Sequence, residues 1–356
     1  MITARSTPNI ALIKYWGNRH DEFRLCANDN VAMTLDGPYV DVSIEPSDAL
    51  SVISNNKELN KKDVQRFQKT LELIQAYLST LQPFKPSNHT NLSIKIDSHI
   101  PPAIGLASSA AVFSALAKAI AGLIEKTAPR NGALTKNIIP ESGLSARGEG
   151  LSARGDTLTD EQISVMARLG SGSAARSIFG GFGAIRNEDN NFIDGSKGWQ
   201  VAGEHHWNLH DIIIVPSTKE KKVGSTEGHG GAQTSPDFKQ RVKEIGDRRQ
   251  QECIDAILNK DFEKLQKVAE EDCIDMHHCM QTQNPPLNYL SDETYRIIDE
   301  VKALRSSEHL PVLYTMDAGP TVHLFCTDEA KDRIAEYANS QEDCQIFESS
   351  VGPGAQ

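Results

Sequence analysis

Two stretches of small residues are suited to hold a phosphate group. The first is "PPAIGLASSAA" (101–111), which leads directly into an apolar, alanine-rich segment with the composition of a helix. The first amides of a helix have no partner within it, so they bind a phosphate where no large side chain blocks the approach. The hydroxyls of Ser108 and Ser109 add donors at this point. The stretch therefore predicts an anion-binding loop at a helix N-terminus.

The same stretch has a second interpretation, because small residues also allow the backbones of two elements to approach closely. Neither the G-x-x-x-x-G-K-[ST] phosphate loop nor the G-x-G-x-x-G dinucleotide fingerprint occurs here. The stretch by itself fits an anion site and close helix packing equally well.

A second small-residue loop lies in "GSGSAARSIFGGF" (170–182), and it contains Arg176. It follows a predicted helix that Thr159 can cap, with acidic residues in its first turn. Glycines at 170 and 172 end that helix. A cation in a loop of small residues is the composition expected of a second anion-binding turn.

Between the two loops the chain carries a duplicated segment, "GLSARGE" followed by "GLSARGD" (143–156). Two copies of seven residues are too few for a repeat architecture. We interpret the segment as a surface loop that grew by duplication. The alternative is a lid that brings Arg147 and Arg154 near a phosphate.

With "STPNIALIKYWGNRHDEFRLCANDNVAMTL" (6–35) and "YTMDAGPTVHLF" (314–325), the two loops resemble a known set of motifs in order and spacing. The set is that of the GHMP kinase superfamily and, within it, of the mevalonate diphosphate decarboxylases. The resemblance covers residues 4–330. It implies an α+β, two-lobed GHMP kinase fold with a left-handed βαβ crossover and a deep cleft between the lobes. Composition and periodicity alone predict only a mixed α/β chain of one or two domains.

The resemblance implies roles for three charged residues. Asp317, in the "DAGP" turn, matches the catalytic carboxylate that orients or deprotonates the 3-hydroxyl of a mevalonate substrate. Lys14 would neutralise charge beside the transferred phosphoryl group, and Arg176 would hold the substrate carboxylate with its planar guanidinium. The resemblance also implies ATP and Mg²⁺ as cofactors, with ATP held by Gly105, Ala107, Ser108 and Ser109.

Further residues are implied to bind the substrate. Asn9 would donate to the same carboxylate as Arg176. Tyr15, Ser171 and Ser173 would bind the 5-phosphate end.

At Asn18, also a predicted substrate residue, the sequence departs from the family. Relatives usually read "KYWGK", and the second lysine binds the diphosphate tail, whereas this chain reads "KYWGN". The adjacent Arg19 is a candidate to replace that charge. A tail-binding arginine before the helix at 64–80 is matched most nearly by Asp63. Two fewer cations would favour a singly phosphorylated substrate.

The function that the resemblance implies is ATP-dependent decarboxylation of (R)-5-diphosphomevalonate to isopentenyl diphosphate, ADP, phosphate and CO2, through phosphorylation of the 3-hydroxyl. Two alternatives follow from the same residues. One is the same reaction on 5-phosphomevalonate, which gives isopentenyl phosphate. The other is a 3-kinase that does not decarboxylate. A binding protein without catalysis is disfavoured by the presence of Asp317, Lys14 and the serine loop.

Composition excludes several classes of protein. The chain has 356 residues and a net charge of −11, which argues against nucleic acid as the main partner. Six scattered cysteines without a CxxC pair, no long apolar run and no signal-like N-terminus predict a reduced, cytoplasmic protein without a membrane partner. The run Met276, His277, His278 and Cys279 lacks zinc spacing, so no metal ligands are predicted. A homodimer is expected by analogy with the family.

The elements that must position these residues follow from periodicity. Apolar spacing predicts helices at 61–81, 109–122, 237–259, 261–281 and 291–306. Alternation predicts strands at 38–53, with a turn at Glu45-Pro46-Ser47-Asp48, and at 91–100, 211–215, 312–316 and 321–327. We expect an N-terminal ATP-binding lobe over 1–190 and a C-terminal lobe over 191–356.

Overall fold

The small-residue loops and the charged motifs lie at the ends of regular elements in the computed structural model. The model describes residues 1–81, 91–101, 106–127, 157–216, 224 and 228–356. Of the residues discussed above, Gly105 and the duplicated segment 143–156, with Arg147 and Arg154, lie outside the described residues.

The strands fall into three main sheets and one short hairpin. Their bounds are β1 (Ile2–Ser6), β2 (Asn9–Ile13), β3 (Asn18–His20), β4 (Leu25–Cys26), β5 (Asn30–Thr34), β6 (Val40–Ser47), β7 (Ser51–Ser54), β8 (Lys57–Glu58), β9 (Asn91–Ser98), β10 (Phe182–Asn187), β11 (Ser196–Ala202), β12 (His210–Val215), β13 (Val312–Thr315), β14 (Val322–Cys326) and β15 (Gln345–Ser350).

The helices are distributed between the sheets along the chain. Their bounds are α1 (Lys61–Thr80), α2 (Ser108–Thr127), α3 (Asp160–Gly170), α4 (Ala174–Ser177), α5 (Phe238–Glu244), α6 (Gln250–Asn259), α7 (Phe262–Thr282), α8 (Asp292–Glu308) and α9 (Asp328–Asn339). A 3₁₀ turn spans His229–Thr234, and a π-helical segment, Ile245–Arg249, joins α5 to α6.

The first two sheets form the N-terminal part of the fold. One has the order β1-β6-β9-β7-β8, and β7 and β9 are parallel, joined by a crossover that contains α1. The other has the order β11-β10-β5-β2 and is antiparallel. The third sheet, β13-β14-β12-β15, carries the C-terminal part. A lobe boundary at residue 190 stays a prediction, and β11, which follows it, pairs with β10.

Most predicted elements are confirmed with small shifts of their ends. In β9 the alternating Leu92, Ile94 and Ile96 are buried, as the period of two requires. The start of α3 is a capping box between Thr159 and Gln162. The segment predicted at 38–53 forms two strands, β6 and β7, separated by a turn after Ser47, close to the turn predicted at 45–48.

The helix predicted over 237–259 is confirmed as a continuous helical stretch from α5 to α6, and it contains one π-helical turn that the sequence did not indicate. Arg241, on α5, and Arg249, the last residue of the segment, both bind Asp272 and Asp275 on α7. In a regular α-helix, side chains eight residues apart point about 80° away from each other. The wider π turn rotates both arginines toward the same carboxylates.

Small residues allow α2 to pack closely. Ala110, Ala111, Ala115, Ala117 and Ala119 are fully buried, and α2 contacts β1, β6 and α3. Among the described residues α2 alone is long and apolar enough to cross a membrane by length and composition, with a mean hydropathy of 1.3. Half of that segment is buried inside this fold, and the core helix of a soluble protein passes the same test. The small residues of α2 therefore serve close packing, which is the second interpretation given above for the first small-residue stretch.

Residues 351–356 return to the N-terminal sheets. Gln356 exchanges two backbone hydrogen bonds with Arg5, and the amide of Ala355 donates to the carbonyl of Ser177. Val351 bridges to Leu35. This segment thus supports α4, the short helix that carries Arg176.

Candidate active site

One cavity collects most of the predicted site residues. Lys14, Arg176 and Asp317 all line it, as do the predicted loop and substrate residues Tyr15, Asn18, Ala107, Ser109, Ser171 and Ser173. Ser108 is exposed in the first turn of α2 and does not line it. Residues distant in the sequence therefore meet where β2, α2, α3 and the β13–β14 turn converge.

Lys14 and Asp317 form an ion pair at the centre of the cavity, with 2.6 Å between Nζ and Oδ1. The lysine side chain is 1% exposed and the carboxylate 28%. Burial by itself would raise the pKa of Asp317, but the charge and hydrogen bond of Lys14 outweigh it, and the pKa lies below its ordinary value. Asp317 is therefore ionised at neutral pH, oriented by a cation that has no contact with bulk water.

The backbone of Lys14 is held on both sides by buried polar groups. Its amide donates to Oδ2 of Asp272 at 2.6 Å, while its carbonyl accepts from Asn28 at 2.9 Å and from Arg241 at 3.2 Å. Arg241 and Asp272 are themselves ion-paired at 3.0 Å, with side chains 1% and 0% exposed. This buried pair fixes the peptide from which the Lys14 side chain reaches Asp317.

An Asp272→Asn variant is expected to lose about 3–5 kcal/mol of unfolding free energy, because Arg241 would remain buried without its main counter-charge. The fall in kcat should exceed what the unfolded fraction explains, since asparagine has one acceptor oxygen where Asp272 uses two, and the contacts of this side chain with the Lys14 amide and with Arg241 are weakened. Urea denaturation and steady-state kinetics on the folded fraction measure both. Glu271→Gln, next in sequence and 35% exposed, is the matched control. Equal losses in both variants would contradict a special role for Asp272.

Arg176 is buried but has no carboxylate within ion-pair distance among the described residues. It is 3% exposed, Nε donates to Oδ1 of Asn9 at 3.0 Å, and Nη1 donates to Oδ1 of Asn30. Burial lowers the pKa of Arg176, which the charge of Asp317 partly offsets. A buried guanidinium oriented by two neutral amides has unused donors and an uncompensated charge, which suits it to a ligand anion.

Asn9 is not placed as predicted. The sequence predicts that its amide donates to the substrate carboxylate, but both amide hydrogens are already used, by the Ser173 carbonyl at 2.9 Å and the Ser177 hydroxyl at 2.7 Å. Asn9 is 1% exposed and does not line the cavity. It contacts Arg176 from behind and positions that guanidinium.

Serine hydroxyls connect the two small-residue loops. Ser109 Oγ lies 3.1 Å from Ser171 Oγ, which lies 3.3 Å from Ser173 Oγ. The row crosses from the first turn of α2 to the turn between α3 and α4. In this row hydroxyl hydrogens can rotate toward an acceptor in the cavity.

The Tyr15 hydroxyl donates to the Asn18 side chain, whose own amide donates to Asp21 at 3.1 Å. The ring of Tyr15 stacks on His229 with centroids 4.5 Å apart. A side chain at Gly172 would meet the Tyr15 ring at 2.3 Å, so glycine is required there. Tyr15, Asn18 and His229 bring no charge to this end of the cavity, since burial lowers the pKa of His229 to about 3.

Arg19 and Asp63 do not have the positions expected from the sequence. Arg19 donates to the carbonyls of Asn190 and Gly195, outside the cavity, so it does not replace a lysine at Asn18. Asp63 accepts from Asn60 at the exposed start of α1.

Sequence reasoning missed two other arginines, Arg24 and Arg66. Arg24 lines the cavity, and Arg66, one turn further along α1 than Asp63, donates to the Gly170 carbonyl at 2.9 Å. The available signal was weak: an arginine within the 6–35 motif and another three residues after Asp63.

From the run at 276–279, Met276 lines the cavity. No group of three or more His, Cys, Asp and Glu side chains among the described residues is placed to hold a metal ion. The cavity offers one carboxylate, Asp317, and the serine hydroxyls. That donor set fits Mg²⁺ entering with phosphates, since Mg²⁺ is commonly held by one or two carboxylates plus substrate phosphates.

Family models match both parts of the chain. The "Diphosphomevalonate decarboxylase-like N-terminal domain" matches residues 6–196, and the "Mevalonate 5-diphosphate decarboxylase C-terminal domain" matches 211–349. The diphosphomevalonate decarboxylase of Candida albicans is 31% identical over 337 residues, which cover 92% of this chain and 84% of the relative. The chain belongs to the diphosphomevalonate decarboxylase family.

Other members of this family agree with that assignment. The diphosphomevalonate decarboxylase of Saccharomyces cerevisiae is 30% identical, covering 92% of this chain and 78% of the relative. The mevalonate diphosphate decarboxylase structure from Staphylococcus aureus has a TM-score of 0.81 at 26% identity and covers 100% of this chain and 97% of its own. A structure described as MDDEF in complex with MVAPP, AMPPCP and magnesium has a TM-score of 0.78 at 25% identity, covering 100% and 98%. The resemblance inferred from the motifs and the two-lobed α+β fold are confirmed.

Proposed function

We propose that this member of the diphosphomevalonate decarboxylase family converts (R)-5-diphosphomevalonate and ATP to isopentenyl diphosphate, ADP, phosphate and CO2. One observation carries the proposal: the Lys14–Asp317 pair and the uncompensated guanidinium of Arg176 line one cavity. A substrate with a hydroxyl and a carboxylate on neighbouring carbons can engage both groups at once.

The chemistry divides between these residues. Asp317 accepts a hydrogen bond from the 3-hydroxyl and takes its proton as the oxygen bonds to the γ-phosphorus of ATP and ADP leaves. The C3–O bond then breaks and releases phosphate, while the C1–C2 bond electrons form the new C2–C3 double bond and CO2 departs. Lys14 holds Asp317 in place and neutralises charge at the transfer. Placement supplies most of the rate, because a tertiary hydroxyl beside the γ-phosphate is already close to reacting geometry.

ATP and Mg²⁺ are the cofactors of the proposed reaction. The triphosphate would lie at the N-terminus of α2, where Ala107, Ser108 and Ser109 present backbone amides and hydroxyls to an anion. When bound, Mg²⁺ neutralises part of the charge of the triphosphate. The substrate tail would lie at Ser171, Ser173, Tyr15 and Asn18.

The decisive experiment incubates the purified protein with ATP and either 5-diphosphomevalonate or 5-phosphomevalonate, and measures ADP, CO2 and the isoprenoid product. Equal amounts of ADP and CO2 from the diphosphate support the proposal. ADP without CO2 identifies a 3-kinase. A higher kcat/KM for the monophosphate identifies 5-phosphomevalonate as the substrate, the alternative that the neutral Asn18 favours.

An Arg176→Lys variant is expected to raise KM for the mevalonate substrate about 10–100-fold with little change in KM for ATP. A lysine keeps the charge but cannot offer the planar pair of donors that Asn9 and Asn30 orient. Initial rates with each substrate varied in turn measure the two constants. Arg186→Lys, an exposed arginine on β10, is the control. Equal rises in both KM values would contradict carboxylate binding by Arg176.

The proposed enzyme is cytoplasmic and dimeric. All six cysteines are free thiols, and five are buried, which suits a reducing compartment. The homodimer rests on family analogy, and light scattering after gel filtration tests it.

A further inference from the structure

Two arginines meet at the C-terminal end of α3. Nη1 of Arg24 donates to the Leu169 carbonyl at 2.7 Å, and Nη2 of Arg66 donates to the Gly170 carbonyl at 2.9 Å. Neither has an ion-pair partner among the described residues; the Arg66 guanidinium lies over the Phe113 ring at 4.7 Å, and its Nε is buried without a hydrogen-bond partner. Each guanidinium therefore has one anchored donor and others unused.

Capping a helix explains only part of this arrangement. Cations are favoured near the last carbonyls of a helix, and one arginine suffices for that role. Burial, followed by the charge of Arg24, lowers the pKa of Arg66 to about 10. Two guanidinium groups that repel each other in a partly buried place are stabilised together by an anion with more than one negative charge.

Arg24 faces the end of the cavity where the substrate tail is proposed to lie. It lines the cavity with Tyr15, Asn18 and Ser173, and its charge acts on Tyr15 and on His229. Its backbone is in the left-handed region, with φ of 48°, at the turn between β3 and β4. Of the groups just named, Arg24 alone carries a positive charge, because Asn18 is neutral and the lowered pKa keeps His229 neutral.

We propose that Arg24, supported by Arg66, binds the phosphate tail of the substrate and provides the cation that Asn18 does not. This inference rests on the proposed function. It extends that function by assigning two arginines, which give the site enough positive charge for a diphosphate. Arg24 is then a specificity-determining residue that distinguishes a diphosphorylated from a monophosphorylated mevalonate. Arg66 acts from behind, since it does not line the cavity.

The test compares kcat/KM for 5-diphosphomevalonate and 5-phosphomevalonate in the parent protein and in Arg24→Gln. Loss of a charge-assisted hydrogen bond should lower kcat/KM for the diphosphate about 30-fold. The monophosphate should lose less, so the preference for the diphosphate falls about 10-fold, through KM more than kcat. Inorganic pyrophosphate as a competitive inhibitor should show a matching rise in its inhibition constant.

Arg19→Gln is the matched control, because that arginine lies in the same hairpin but donates outside the cavity. Arg24→Lys should recover part of the preference by restoring the charge, and thermal unfolding checks that each variant is folded. An unchanged preference ratio in folded Arg24→Gln overturns the inference while leaving the proposed function intact. A parent protein inactive on both substrates overturns the proposed function instead, and pyrophosphate binding then tests Arg24 independently.

Discussion

An Asp317→Asn variant is expected to lose about 10³-fold in kcat and to bind ATP at least as tightly as the parent protein. The amide occupies the same space but cannot take the proton of the 3-hydroxyl. It also removes the negative partner of Lys14, whose side chain is 1% exposed. An unpaired lysine in that position attracts the triphosphate more strongly, so binding and turnover should change in opposite directions.

Rapid-quench measurement of ADP and CO2 gives the turnover, and titration calorimetry with ATP gives the affinity. Asp299→Asn is the control, because that carboxylate is 80% exposed and its nearest cation, Lys302, is 3.8 Å away. Turnover near that of the parent protein would remove Asp317 from the mechanism. Parallel losses of turnover and ATP binding would instead indicate a structural role.

A Lys14→Met variant is expected to lose activity on a similar scale and to change its pH dependence. In the parent protein Lys14 opposes the effect of burial and lowers the pKa of Asp317. The carboxylate therefore stays ionised when the pH falls to the ordinary pKa of an aspartate and below. Without Lys14 the two largest effects that oppose burial are lost, so the pKa of Asp317 is expected to rise. The acidic limb of kcat/KM therefore moves to higher pH.

The same pKa shift of Asp317 determines how the stability of the fold depends on pH. A carboxyl with a lowered pKa in the folded state stabilises the fold above its unfolded pKa, and this stability is lost as the pH falls through the folded pKa. In Lys14→Met the pKa of Asp317 in the folded state is higher, so the stability that ionised Asp317 contributes at neutral pH is reduced. Rate profiles and urea denaturation between about pH 5 and 9 measure both effects. Lys95→Met, an exposed lysine, is the control, and an unmoved acidic limb would contradict the pairing.

Regular elements were predictable from periodicity where one face is buried. The helix α1 and strand β9 have clear patterns of 3.6 and two residues, and both form close to their predicted bounds. Strands β2 and β5 are buried along their whole length, so they lack an alternating pattern. The π-helical interruption at 245–249 depends on carboxylates of another helix, which no local pattern encodes.

The candidate site was predictable as a set of residues but not as a geometry. Motif spacing identifies Lys14, Arg176 and Asp317 as candidates without indicating that they line one cavity. Motif spacing could not show that Asn9 lies behind Arg176 with both amide hydrogens already donated, because these hydrogen bonds depend on which residues become neighbours in the fold. Arg24 was missed because an arginine beside a turn is typical of any exposed hairpin, so its place in the sequence does not indicate that it lines a cavity.

The return of residues 351–356 to the first strands has a consequence for biosynthesis. The carbonyl of Ser177, next to Arg176, accepts its hydrogen bond from the amide of Ala355, which is synthesised much later in translation. Contacts that close so large a loop slow folding and leave early segments without partners. A nascent chain can therefore form the strands of its N-terminal part before residues 351–356 are available, and the support of α4 and Arg176 should be completed only when that segment has left the ribosome.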